Sequence, residues 1–141
     1  MSLLLIDALY GRPTPRRPVW FMRQAGRYLP EDRALRKDHT FEELSGSSEL
    51  SCEVTLQPLR RFPLDAAIIF ADLMSPVPSL GVPVRFAPGP VVDTPITSRS
   101  QIEALRRPSR EEVAPEVARA LALVKPELPD GCALIGFAGA P

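Results

Sequence analysis

The chain has 141 residues, of which 45% are hydrophobic and 24% charged, and its 17 basic side chains balance its 17 acidic ones. This composition is typical of one globular domain. The apolar run at residues 3–6 is broken by Asp7 and has no basic region before it, so it is neither a secretory signal nor a membrane anchor. We therefore expect a cytoplasmic protein with no membrane and no nucleic-acid partner.

The cysteines and the single histidine do not predict a metal site. Cys52 and Cys132 are far apart in the chain, with no Cys or His near either, which excludes the usual spacing of zinc ligands. We expect both to be buried thiols. His39 lies in a polar segment and is expected in a loop or at a helix end. No glycine-rich phosphate loop is present, so nucleotide cofactors have no support.

Four elements are predicted in the first half of the chain. A short helix ends at Gly11 and Pro13, and a basic, proline-rich loop then leads into a short apolar strand. A polar helix carries Pro30 in its first turn, and a longer helix starts at a serine cap. These elements cover residues 2–10, 19–22, 28–37 and about 47–62.

The second half contains two continuous apolar runs that are typical of parallel strands buried on both faces, at residues 66–70 and 132–137. Between them, residues 82–94 favour a hairpin. Capping-box patterns at residues 100–103 and 109–112 predict two further helices. Because of Pro115, the second of these helices could begin at Ser109 or restart near Ala114.

Strands near Val19, Ile68 and Leu134, separated by helices, predict βαβ units and therefore an α/β fold with a parallel sheet. In such folds ligands bind at the carboxyl ends of the strands. Asp72 follows the strand at residues 66–70, which makes it a candidate site residue. The plain alternative is that Asp72 only forms a turn or caps a helix.

A second candidate site is the pair Arg23 and Arg27, which follows the predicted first strand. Gly26, between them, allows a ligand to approach the backbone closely. Residues 8–30 contain five arginines and no acidic residue, which indicates a local positive field suited to a carboxylate or phosphate ligand. Two arginines on a solvated helix face are the alternative interpretation.

The string Arg-Gln-Ala-Gly-Arg-Tyr-Leu-Pro, preceded by Val-Trp-Phe-Met, resembles the N-terminal signature of the uroporphyrinogen decarboxylase family. Residues 56–72 and 134–141 are similar to two further segments of that family, in the same order. The resemblance implies the N-terminal portion of a (β/α)₈ TIM barrel, about three βα units long. It also implies that residues 1–141 form a single partial domain, truncated at its C-terminal end, that is poorly soluble alone and belongs to a family of homodimers.

The resemblance also implies the chemistry of the site. The family removes the four acetate carboxyls of uroporphyrinogen III to give coproporphyrinogen III, in haem biosynthesis, with neither metal nor organic cofactor. Arg23 and Arg27 would contact substrate carboxylates, with Gln24, Ala25 and Gly26 shaping the loop. Asp72 would be the catalytic residue that accepts hydrogen bonds from the pyrrole N–H groups and stabilises a cationic intermediate.

Two details depart from the usual family pattern, namely Asp32, where an aromatic residue is common, and Met74–Ser75 after Asp72. Both are expected in the pocket wall. Two other functions stay open at this point. The chain could be a cobamide-linked methyltransferase relative, which would use zinc, or a non-catalytic fragment or one half of a split enzyme.

Overall fold

A computed structural model describes residues 3–22 and 28–139 of the chain. The predicted arginine pair, Arg23 and Arg27, lies outside the described residues, together with Gln24, Ala25 and Gly26. The described part is α/β. Its elements are α1 (Leu4–Leu9), α2 (Pro30–Asp38), α3 (Phe41–Gly46), α4 (Ser48–Arg61), β1 (Ala66–Ile68), β2 (Arg85–Phe86), β3 (Pro90–Val91), α5 (Arg99–Glu103), α6 (Pro115–Val124) and β4 (Ala133–Ile135).

The two predicted buried strands are confirmed as β1 and β4, which pair in parallel with Ala66 opposite Ala133 and Ile68 opposite Ile135. The ladder is shorter than the apolar runs. The backbone groups of Phe70 bond to side chains of α4 instead of to a neighbouring strand. The Phe70 N–H donates to Thr55 Oγ1 at 2.8 Å, and the Phe70 carbonyl accepts from Ser51 Oγ. The predicted hairpin is confirmed as the antiparallel pair β2 and β3.

The beginnings of α2 and α4 agree with the features predicted from the sequence, a proline in the first turn and a serine cap. Pro30 is the first residue of α2, and the Ser47 hydroxyl caps α4 by accepting from the Leu50 N–H at 3.3 Å. His39 lies at the C-terminal end of α2, as predicted. The sequence analysis missed α3, which begins with a capping box in which Thr40 and Glu43 each accept from the other's backbone N–H.

The predicted strand at residues 19–22 is wrong. The segment has no regular secondary structure, and Val19 bonds to Asp65, the residue before β1, rather than to a residue of a strand. The Asp65 N–H donates to the Val19 carbonyl at 2.9 Å, and the Val19 N–H donates to the Asp65 carboxylate at 2.8 Å. One aspartate therefore satisfies both backbone groups of Val19.

One helix start differs from the prediction, and another decides between the two alternatives that the sequence left open. The residue that caps α5 is Ser98 rather than Ser100, since Ser98 accepts from the Gln101 N–H. Ser109 caps only a short 3-10 turn at Arg110–Glu112, and the chain restarts as α6 at Pro115. Ala114 makes this break with a left-handed backbone, at φ 46°, so the second of the two alternatives for this helix is the one observed.

The core has two clusters that meet on α4. One joins Leu56 to Ile69 of the strand segment and to Ala120 and Val124 of α6. The other joins Val54 to Phe70 and to Leu44 of α3. The sheet is thus covered by α4 and α6 on one side, as expected of a βαβ unit. Within residues 3–22 and 28–139, none of the helices combines the length and the apolar character needed to span a bilayer.

Candidate active site

Asp72 lies just past the carboxyl end of β1, after the buried residues Ile69 and Phe70. Its side chain is partly buried. Oδ2 accepts from the Met74 N–H at 3.0 Å, and the Asp72 carbonyl accepts from the Ser75 N–H at 3.2 Å. The carboxylate therefore does form a turn. In the described part of the chain, Oδ1 accepts no hydrogen bond, which leaves it available to a ligand.

Two cavities share Asp72 and Ser75 in their walls. The smaller, of about 170 Å³, lies where β1 and β4 end, between Asp72 and the turn at Gly136 and Phe137. The larger is an open cleft of about 390 Å³ that extends to Phe86 of the hairpin. The two cavities thus adjoin at Asp72, and the smaller one lies at the carboxyl ends of β1 and β4. This is where the topology of a parallel sheet predicts a ligand site.

The larger cleft is acidic. Besides Asp72 it is lined by Glu42, Glu112 and Glu116, and no arginine or lysine appears among the described residues of its wall. A polycarboxylate ligand needs cations here to offset this charge. Arg106, which is not part of the wall, offsets one of these charges through an ion pair with Glu112 at 3.3 Å.

The predicted positive field at residues 8–30 is weaker than the sequence indicates, because two of its arginines have acidic partners. Arg12 Nη1 lies 2.9 Å from Oδ1 of Asp7, which comes just before the window. Arg16 forms a bidentate ion pair with Asp65, with both N–O distances at 2.6 Å. The prediction counted charges along the chain and could not see the second partner, which lies far away in sequence.

Asp65 is the residue that the sequence analysis missed. It is only 7% exposed, and its carboxylate accepts three hydrogen bonds, two from Arg16 and one from the Val19 N–H. The hydrogen bonds from Arg16 hold the pKa of this carboxyl below its usual range; burial opposes that shift, and the Val19 N–H reinforces it. A signal was present, since an Asp directly before a buried strand needs a partner.

Phe137 is a second residue without a predicted role. Its ring is 41% exposed and lines the smaller cavity opposite Asp72. It stands two residues after β4, in the small-residue turn that follows this strand. The sequence analysis placed Phe137 inside the apolar strand at residues 132–137, whereas β4 ends at Ile135, so only the structure shows that Phe137 follows the strand.

The thiols and the histidine stay outside the site. Cys132 is buried and Cys52 is half-buried, and both are free. Burial raises the pKa of each thiol, which makes both poor nucleophiles. Over the described ranges, no group of three or more His, Cys, Asp or Glu side chains is arranged to hold a metal ion.

Comparison with known proteins decides the family. The sequence model of the family described as "Uroporphyrinogen decarboxylase (URO-D)" matches residues 3–141. The chain belongs to the uroporphyrinogen decarboxylase family. The resemblance carried by the three sequence segments is thereby confirmed.

Curated uroporphyrinogen decarboxylases match the chain along its whole length. The chain is 47% identical over 141 residues to the one from Geobacter metallireducens, which covers 100% of this chain and 42% of that protein. It is 51% identical over 140 residues to the one from Alkalilimnicola ehrlichii, covering 97% of this chain and 38% of that protein. The chain therefore spans about two fifths of the length of the uroporphyrinogen decarboxylases that it matches.

Proposed function

We propose that this chain is the N-terminal part of a uroporphyrinogen decarboxylase, which converts uroporphyrinogen III to coproporphyrinogen III. The observation that carries the proposal is the position of Asp72, a partly exposed carboxylate at the carboxyl end of β1 in a cavity that also reaches the end of β4. The family match over residues 3–141 supplies the reaction. We place the protein in the cytoplasm and its full-length form in a homodimer.

For the fold, we propose a partial (β/α)₈ TIM barrel in which residues 1–141 form one domain of about three βα units, continued in the full-length family. The parallel pairing of β1 and β4 supports this arrangement, as does the packing of α6 against α4. The segment at residues 19–22 would hold the position of the first barrel strand beside β1.

Spacing along the chain supports the predicted arginine pair as part of the proposed site. Trp20 follows Val19 and lines a small cavity with Ala66 and Ala67, which follow Asp65, so the two segments run in the same direction. Asp65 lies 46 residues after Val19. Along the chain, the same spacing leads from Asp72 back to Gly26, which lies between Arg23 and Arg27 in the sequence. We propose that Arg23, Gln24, Ala25, Gly26 and Arg27 bind the substrate at the level of Asp72.

The reaction requires groups that bind the carboxylate side chains of the substrate and a group that stabilises positive charge. At each acetate arm, protonation of the adjacent pyrrole carbon gives a cationic ring, and loss of CO₂ returns the bonding electrons to that ring and leaves an exocyclic methylene. A proton added to the methylene completes the methyl group, and the ring carbon gives up its proton to restore the neutral pyrrole. The tetrapyrrole is its own electron acceptor. Asp72 would accept hydrogen bonds from pyrrole N–H groups and stabilise the cation, while Arg23 and Arg27 hold carboxylates.

A second candidate is one half of a split enzyme, or a fragment without activity alone. One fact supports it, which is that the chain spans about two fifths of its relatives' length. Decarboxylation that requires a second polypeptide would support the split enzyme over the complete function.

The test is turnover of uroporphyrinogen III by the purified chain, followed as coproporphyrinogen formation. In an active preparation, Asp72→Asn should lower the rate about 100-fold or more and change substrate binding little, because charge stabilisation acts mainly in the transition state. Asp93→Asn is the matched control, since Asp93 lies on the exposed hairpin in an ion pair with Arg85. Unchanged turnover in Asp72→Asn would reject the assignment of Asp72, and absent turnover in the parent chain would reject activity of this chain alone.

A further inference from the structure

We propose that Asp65 is a positioning residue that fixes residues 16–22, the segment leading into Arg23, relative to the strand segment that ends at Asp72. The inference rests on the proposed function for its consequence, because it concerns how the two halves of the proposed site are held in register. Its structural content is tested separately below.

Asp65 joins three parts of the chain through five hydrogen bonds. Its carboxylate accepts two from Arg16 at 2.6 Å and one from the Val19 N–H at 2.8 Å. Its own N–H donates to the Val19 carbonyl at 2.9 Å, and its carbonyl accepts from the Ala133 N–H at 2.9 Å, where β4 begins. The basic segment, β1 and β4 are therefore connected at one residue.

The ion pair is bidentate, and its two side chains differ in how deeply they are buried. Asp65 is nearly inaccessible, whereas the Arg16 side chain is 59% exposed. A buried carboxylate without its partners is costly, so the site favours the state in which Arg16 and Val19 are both docked. Among the described residues, the bidentate pairs of Arg85 with Asp93 and of Arg60 with Glu53 lie on the surface and connect residues that are close in sequence. The pair of Arg61 with Glu31 spans 30 residues but is also exposed.

The contact at Val19 can influence the predicted arginine pair because the two are close along the chain. Only three residues separate Val19 from Arg23 along the chain. Displacement of the segment at Val19 moves its continuation by a comparable amount, and misplacement by about 1 Å is enough to impair a positioned catalytic arrangement. Asp65 touches no substrate in this view. It acts through the backbone that it holds.

The structural test uses the single tryptophan of the chain, Trp20, and the amide of Val19. In Arg16→Gln and Asp65→Asn, acrylamide should quench Trp20 more strongly, and the Val19 amide should exchange about tenfold faster by hydrogen-exchange mass spectrometry. Arg16→Lys, which keeps the cation, should restore part of the protection. Asp93→Asn breaks a comparable pair on the hairpin and should leave both readouts unchanged. If Arg16→Gln and Asp65→Asn behave like Asp93→Asn, the inference is overturned.

The functional test separates this inference from the proposed function. Where the parent chain turns over uroporphyrinogen III, Arg16→Gln should raise KM about tenfold with kcat changed less than about twofold, because the arginines hold carboxylates in both ground and transition states. A decrease of about tenfold in kcat with an unchanged KM would overturn the positioning role. Where the parent shows no turnover, the proposed activity of the chain fails, and the Trp20 and Val19 measurements alone decide whether Asp65 holds the segment.

Discussion

Acid should release the Asp65 contact only at a pH below the range in which a carboxyl group of ordinary pKa is protonated. Arg16 lowers the pKa of Asp65 below its ordinary value of about 3.9, so the stabilisation is fully present above that value and is lost as the pH falls through the lower folded-state pKa. Removing the cation in Arg16→Gln should raise the folded-state pKa and move acid unfolding to higher pH. The measurement is an acid titration followed by far-UV circular dichroism.

The matched variant for this titration is Arg85→Gln. Arg85 also lowers the pKa of its partner, Asp93, but that pair lies on the exposed hairpin, where solvent screens it. We expect the acid midpoint of Arg85→Gln to stay close to that of the parent. An equal shift in the two variants would contradict a special contribution from Asp65.

The contrast between two aspartates shows what the sequence reveals about a site. Asp72 could be found because the signal is local, an acidic residue directly after a buried apolar run. Asp65 could not be given its role, because its partners Arg16 and Val19 lie 49 and 46 residues earlier. Local pattern identifies residues at strand ends, whereas a contact between distant segments requires the fold.

The break before α6 stores strain that a substitution can remove. Ala114 adopts φ 46°, a left-handed conformation that costs a residue with a Cβ about 1 kcal/mol or more. Ala114→Gly should therefore increase the free energy of unfolding by about 1 kcal/mol in urea denaturation.

The control for this prediction is Ala118→Gly in the same helix. Ala118 is exposed and helical, so glycine there should lower the free energy of unfolding by about 1 kcal/mol. Destabilisation of similar size in both variants would mean that the backbone at Ala114 is not strained.

At the level of elements, the sequence predicted what depends on burial and capping. The strands β1 and β4 stand out as two-sided apolar runs, and α4 has a serine cap and an apolar face. Helix α3 was missed because six residues are too few for a periodic pattern, although Thr40 and Glu43 match a capping box. The strand predicted at residues 19–22 failed because its apolar composition does not specify which groups satisfy its backbone.

At the scale of the whole molecule, an open apolar groove of about 640 Å³ lies along α6 and β4. Its lining includes Leu121 and Leu134 together with the exposed Ala122. Such a surface favours association. We predict that the isolated chain self-associates, and that Ala122→Glu weakens association about tenfold, because it places a charge in the groove.

Sedimentation velocity over a range of concentrations measures this association. Ala118→Glu introduces the same charge one turn earlier on α6, outside the groove lining, and should associate like the parent. A parent chain that stays monomeric and unfolds cooperatively would contradict both the prediction and the expectation of poor solubility.

The three phenylalanine rings that run from the hairpin into the core connect distant parts of the molecule. Phe86 contacts Phe41, and Phe41 contacts Phe70, which stands two residues before Asp72. We therefore expect docking of the hairpin and placement of the Asp72 carboxylate to be coupled in free energy, and such coupling is reciprocal. A ligand that fills the cleft beneath Phe86 will tighten the hairpin, and a tighter hairpin will strengthen the binding of that ligand.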